Sequence, residues 1–102
     1  MKVINENNFE LEAGSGLVLV DFFATWCGPC QRLTPVLEDL QEDFEGKVKF
    51  LKSDIDQSRS LARKFSVMSV PTMIVLKDGA PVERMVGFMQ PEDIKAKLKN
   101  HI

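Results

Sequence analysis

The two cysteines of the chain stand three residues apart in the run Trp26-Cys27-Gly28-Pro29-Cys30. Side chains at i and i+3 lie one above the other on an α-helix, so this spacing holds two sulfurs within the roughly 4.4–6.8 Å Cα separation that a disulfide spans. The pair can close into a bond and open into two thiols. A thiolate at the first turn of a helix faces unpaired N–H groups and the positive end of the helix dipole, so Cys27 ionises more readily than a free cysteine. Cys30, one turn further in, is shielded. That asymmetry assigns to Cys27 the attack on a disulfide of another molecule, and to Cys30 the resolution of the mixed disulfide. Gly28 lets the backbone turn tightly beside the sulfur. Pro29 fixes φ at a helix start where its missing N–H costs nothing, and Trp26 adds a broad apolar shoulder.

The elements on either side must hold this pair in place. Leu17 to Ala24 is a continuous apolar run rich in β-branched and aromatic residues, which predicts a strand buried on both faces. Leu33, Val36, Leu37, Leu40 and Phe44 then recur at helical spacing, so a helix is expected from about Pro29 to Asp43. Pro35 falls inside it, removes the hydrogen bond to the Gln31 carbonyl and kinks the helix. The kink is either an incidental bend or a device that aims the first turn. Further strands are expected at Val3-Ile4, Lys47 to Asp54, Thr72 to Leu76 and Val82 to Val86, the last two joined by a hairpin at Asp78-Gly79. Short helices are expected at Phe9 to Ala13, after an N-cap at Ser58, and from Gln90-Pro91 through Leu98. The order β-α-β-α-β-α-β-β-α predicts an α/β fold, a mixed five-stranded central sheet flanked by four helices on both faces, forming one domain over residues 1–102.

Asp21 interrupts the buried strand. An ionised carboxylate there is costly, so desolvation should raise its pKa and leave it able to accept or donate a proton near neutral pH, which thiol–disulfide exchange needs when Cys30 is deprotonated. The competing reading is an aspartate at an exposed kink.

The Trp-Cys-Gly-Pro-Cys run, with the order and spacing of nearly the whole chain, resembles the thioredoxin family. The resemblance implies the thioredoxin fold and a protein-disulfide reductase in which Cys27 and Cys30 carry two electrons. It matches Asp21 to a buried aspartate beneath the disulfide and Lys52 to the lysine beside that aspartate. It implies a cis Val70–Pro71 bond facing the disulfide, for which the sequence alone gives no licence, and it places Gly87 beside the site. A substrate-docking face of Trp26, Gly28, Pro29, Val70, Pro71, Gly87 and Phe88 follows, with Val70 free to pair with an extended segment and Met68 and Met89 as adaptable contacts. The resemblance further implies recharging by a thioredoxin reductase, a flavoprotein drawing on NADPH, so that the chain itself binds no cofactor. Two positions depart from the family pattern: Phe23 replaces a common second tryptophan, and Gln31 replaces a common lysine, which should leave the helix start less electropositive.

Composition limits the alternatives. The apolar fraction of 44% and charged fraction of 27% fit a soluble globular protein. No apolar run approaches the roughly 18 residues that span a bilayer, and the N-terminus has no signal-peptide pattern, so the expectation is a cytoplasmic monomer that engages no membrane. In such a reducing compartment a Cys-x-x-Cys pair is catalytic or metal-binding more often than structural. The net charge of −2 conceals an acidic first half and a basic second half, yet no basic cluster is interleaved with aromatics, which argues against nucleic acid. Lys95, Lys97 and Lys99 read as a solvated helix end. A closed zinc site wants four ligands, whereas only two cysteines and His101, read as a solvated terminal residue, are on offer. A non-catalytic docking subunit is the remaining class, distinguished by whether a Cys27→Ser variant keeps its role.

Overall fold

The computed structural model describes residues 1–102. Its strands are β1 (Lys2–Val3), β2 (Leu17–Phe23), β3 (Lys49–Asp54), β4 (Thr72–Lys77) and β5 (Ala80–Val86); its helices are α1 (Phe9–Ala13), α2 (Gly28–Asp43), α3 (Arg59–Lys64) and α4 (Pro91–Lys99). The strands form one sheet in the order β1-β3-β2-β4-β5. β2 lies at its centre, parallel to β3 and antiparallel to β4. That position explains the apolar run, interrupted only by Asp21, because a central strand covered by helices on both faces has no solvent side.

Alternation along the strands divides the core into two layers. Leu19 of β2, Phe50 of β3, Met73 and Val75 of β4 and Met85 of β5 pack against Leu33, Leu37 and Leu40 of α2 and Ile94 and Leu98 of α4. On the other face, Val18, Val20, Phe22, Leu51, Ile74 and Leu76 meet Phe9 and Ala13 of α1 and Leu61 and Phe65 around α3. Leu33, Leu37 and Leu40 keep the i, i+4, i+7 spacing that puts one stripe of α2 on the sheet. Pro35 is exposed on the opposite side of the helix, and α2 runs through it unbroken.

The element order agrees with the sequence expectation; the boundaries shift where pairing overrides propensity. β1 begins one residue earlier than expected, at Lys2, because Lys2 and Val3 register with Leu51 and Lys52. β5 reaches back to Ala80 through Pro81, which an edge strand tolerates. The hairpin turn places Asp78 and Gly79 at φ 51° and 85°, and the Asp78 carboxylate accepts from the Gly16 N–H at 2.8 Å, tying the turn to the start of β2.

Two contacts revise the expectations, and a third adds to them. Ser58 occupies the N-cap of α3 but its hydroxyl makes no capping bond; the Glu6 carboxylate accepts from the Leu61 N–H instead, at 3.1 Å. His101 is half-buried rather than solvated, with Nε2 at 3.1 Å from Glu83 Oε1 on β5. Glu12 of α1 binds Lys2 and Lys49 at 2.7 Å each, clamping α1 to β1 and β3.

Candidate active site

α2 begins where β2 ends. Cys27 is its N-cap, extended at φ −93° and ψ 112°, and the Cys30 N–H donates to the Cys27 Sγ at 3.2 Å. A sulfur thus takes the place of the usual capping oxygen, which puts it against the N–H groups that favour its anion. The two residues are joined in a disulfide with a Cα–Cα distance of 5.3 Å. Gly28 and Pro29, both exposed, fill the first turn between them.

Access to the two sulfurs differs less than the sequence implied. Cys27 is 4% exposed and Cys30 2%, both packed with Ala24 and flanked by Phe23, Ile55 and Val70. The expected asymmetry of shielding is therefore corrected: in the disulfide form both sulfurs are buried, and the difference between the cysteines is one of backbone position, Cys27 before the helix and Cys30 within it.

Asp21 lies on the face of β2 that α2 covers, between Leu19, which packs on Leu33 and Leu37, and Phe23, which packs on the cysteines. It is 1% exposed and neither carboxylate oxygen has a hydrogen-bond partner. Burial pushes its pKa from 3.8 up to about 7, outweighing the Lys52 charge, which pulls the other way. The exposed-kink reading fails. Lys52 registers beside Asp21 on β3, so both project to the same face, yet its Nζ sits 5.2 Å from the centre of the Phe23 ring and forms no ion pair with the carboxylate. The residue that replaces the family's tryptophan thus receives the lysine by a cation–π contact.

The docking-face residues divide by exposure. Trp26 is 69% exposed, Phe88 37% and Met68 92%. The Val70–Pro71 bond is cis, as the resemblance implied, but Pro71 is buried and its carbonyl accepts from the Gly87 N–H at 2.8 Å, so the pyrrolidine ring offers little of the surface. The backbone N–H and C=O of Val70 have no partner in the sheet or the turns. Gly87 has φ +87°, a left-handed conformation that strains other residues on backbone grounds although nothing stands within 4 Å of an added Cβ. Met89 packs against the core rather than on this face.

Sequence reasoning missed Asp56, whose Oδ2 accepts from Trp26 Nε1 at 2.8 Å. Its one signal was topological: it follows β3, and sites in α/β sheets gather at the carboxyl ends of parallel strands. It also missed Arg32. The Gln31 side chain turns back to donate to the Thr25 carbonyl at 3.2 Å, whereas the Arg32 guanidinium reaches forward over Gly28. The helix start therefore keeps a cation, contrary to the expectation from Gln31.

A cavity of about 680 Å³ opens at the other end of the sheet, between Met1, Leu17, Gln41, Lys47 and Lys49. It contains neither cysteine. No helix is long and apolar enough to cross a membrane, and no three metal-binding side chains converge.

Electrons stored as a reversible bond between neighbouring side chains define a class: this is a thiol–disulfide oxidoreductase, and its redox group is the Cys27–Cys30 disulfide itself. The family model for thioredoxin matches residues 1–100. The thioredoxin of Staphylococcus haemolyticus is 50% identical over 97% of this chain and 95% of its own length, and that of Staphylococcus aureus 48% over the same shares. The crystal structure of the Malassezia sympodialis thioredoxin superposes with a TM-score of 0.91 at 32% identity, covering 99% of this chain and 90% of that one. The chain belongs to the thioredoxin family, whose members work without a bound cofactor, between a reductase and disulfide-bearing clients.

Proposed function

We propose that the chain reduces protein disulfides in the cytoplasm, as a one-domain monomer, with Cys27 as nucleophile and Cys30 as resolving thiol. The observation that carries the assignment is the position of Cys27 at the N-cap, outside the helix that encloses Cys30. In the reduced protein the Cys27 thiolate attacks one sulfur of a client disulfide; that S–S bond breaks, and the second client sulfur leaves as a thiolate that takes up a proton. Cys30 then loses its proton and attacks Cys27 Sγ, expelling the first client sulfur. The client gains two electrons and the chain is left with its own disulfide.

Asp21 accepts the Cys30 proton. Its support is a carboxyl poised near neutrality under the first turns of α2, with no competing hydrogen bond. Lys52 biases that carboxyl towards its charged form. The client strand lies across Trp26, Gly28, Pro29, Val70 and Gly87, pairing with the unpartnered Val70 backbone while Pro71, buried, supports it from below. Main-chain recognition of this kind suits many client sequences, and nucleic acid has no part in it.

A thioredoxin reductase of the flavoprotein type, drawing on NADPH, returns the disulfide to the dithiol. The reading is tested by NADPH consumption in a mixture of this chain, such a reductase and a protein disulfide. Turnover that requires all three supports it; consumption that does not depend on the chain refutes it.

A further inference from the structure

We propose that Arg32 is the electrostatic positioning residue of this site: its guanidinium, held over Gly28 and free of any carboxylate, stabilises the Cys27 thiolate of the reduced protein. The inference rests on the reading of Cys27 as the nucleophile and adds to it a cation carried by the same helix start.

Helical geometry places the group. Residue 32 is four beyond residue 28, and side chains on a helix lean towards its N-terminus, so Arg32 covers the first turn. Its Nη1 lies 3.8 Å from where a Cβ of Gly28 would stand, and the missing side chain leaves that space open. Cys27 is the next residue back. Arg32 takes part in none of the ion pairs of the molecule, although Glu38, Asp39, Glu42 and Asp43 follow it on α2. A guanidinium with no carboxylate partner keeps its full field for whatever anion forms nearby.

The other charges around the cysteines are engaged elsewhere or are of the opposite sign. From β2, Asp21 faces α2 as a carboxyl with a raised pKa, so it contributes negative charge or none. From β3, Lys52 keeps its charge over the Phe23 ring, where it acts on Asp21. Beyond β3, Asp56 is fixed on Trp26 and adds negative charge. Val70, Pro71 and Gly87, at the ends of β4 and β5, carry none. Gln31, where the family commonly has lysine, is neutral and turned towards Thr25. Arg32 thus stands in, one position later, for the cation that Gln31 lacks.

The test is the pH profile of carbamidomethylation of the reduced protein by iodoacetamide at low ionic strength, with the labelled cysteine identified by peptide mapping. A unit charge within roughly 7–8 Å through largely aqueous surroundings displaces a thiol pKa by about half a unit. Arg32→Gln is expected to raise the Cys27 pKa by about that much, Arg32→Glu by about twice as much, and Arg32→Lys to restore most of the wild-type value. The differences shrink as salt is added. A structural role for the arginine would not grade with charge in this way. Equal Cys27 profiles for the glutamine and glutamate variants and the wild type overturn the inference while leaving Cys27 as nucleophile. Labelling that falls first on Cys30 overturns the inference together with the reading beneath it.

Discussion

Replacing Asp21 with asparagine removes a buried charge and little else. The carboxyl is 1% exposed, has no hydrogen-bond donor, and is pushed by burial from a pKa of 3.8 to about 7 against the opposing pull of Lys52. In the unfolded chain it returns to the ordinary value. Between about pH 4 and pH 7, then, the unfolded chain loses this proton while the folded chain keeps it. The folded state binds the excess proton, so the contribution of Asp21 to stability is fully present below the unfolded pKa, falls as pH rises across that window, and levels off above it. A rise of about three in pKa corresponds to roughly 4 kcal/mol. With a urea dependence of about 1–3 kcal/mol per molar for a small domain, the oxidised Asp21→Asn protein should unfold at about 2 M higher urea than wild type at about pH 9. The advantage should fall to a small fraction of that near pH 4. Urea titrations of both proteins across this range read it directly. An advantage that is independent of pH, or an asparagine variant less stable than wild type at alkaline pH, refutes the assignment of a destabilising buried charge.

Further outcomes follow from other contacts. The Lys2 hydrogen bond, then that of Lys49, holds the Glu12 carboxyl at about 2, so its stabilisation is complete above the ordinary value of 4.5 and is lost as pH falls towards 2. Glu12→Gln should therefore lower Tm at neutral pH, with the gap to wild type closing on acidification in a thermal scan. Gly87→Ala forces an L-residue to φ +87° and should cost about 1–2 kcal/mol in urea unfolding, although the added methyl meets nothing. Asp56→Ala frees the Trp26 indole; the tryptophan anisotropy should fall and KM for a protein disulfide should rise about 2- to 5-fold, with reactivity towards a small disulfide much less affected.

The chemistry was legible because it is local. Cys27 and Cys30 carry their own geometry in a three-residue spacing, and the run around Asp21 revealed burial because a central strand has no polar face. The helix that presents the cysteines was legible from its leucine stripe. What the sequence hid depends on which ends of separate elements meet. Asp56 reaches Trp26 only because β3 lies beside β2 in parallel register, and nothing in a lone aspartate announces that. Glu6 capping α3 and His101 on Glu83 join residues far apart in the chain, so the local signals at Ser58 and at the C-terminus pointed elsewhere. Pro71 was placed on the docking face by the family resemblance, whereas in the structure it is buried, with its carbonyl bonded to Gly87.

Division of labour between the two cysteines is the claim on which the rest depends, and trapping tests it most directly. A Cys30→Ser variant, reduced and mixed with a protein disulfide, should accumulate a covalent adduct that mass mapping places on Cys27. An adduct that forms instead when Cys27 is the residue replaced, with the client held on Cys30, would contradict the account.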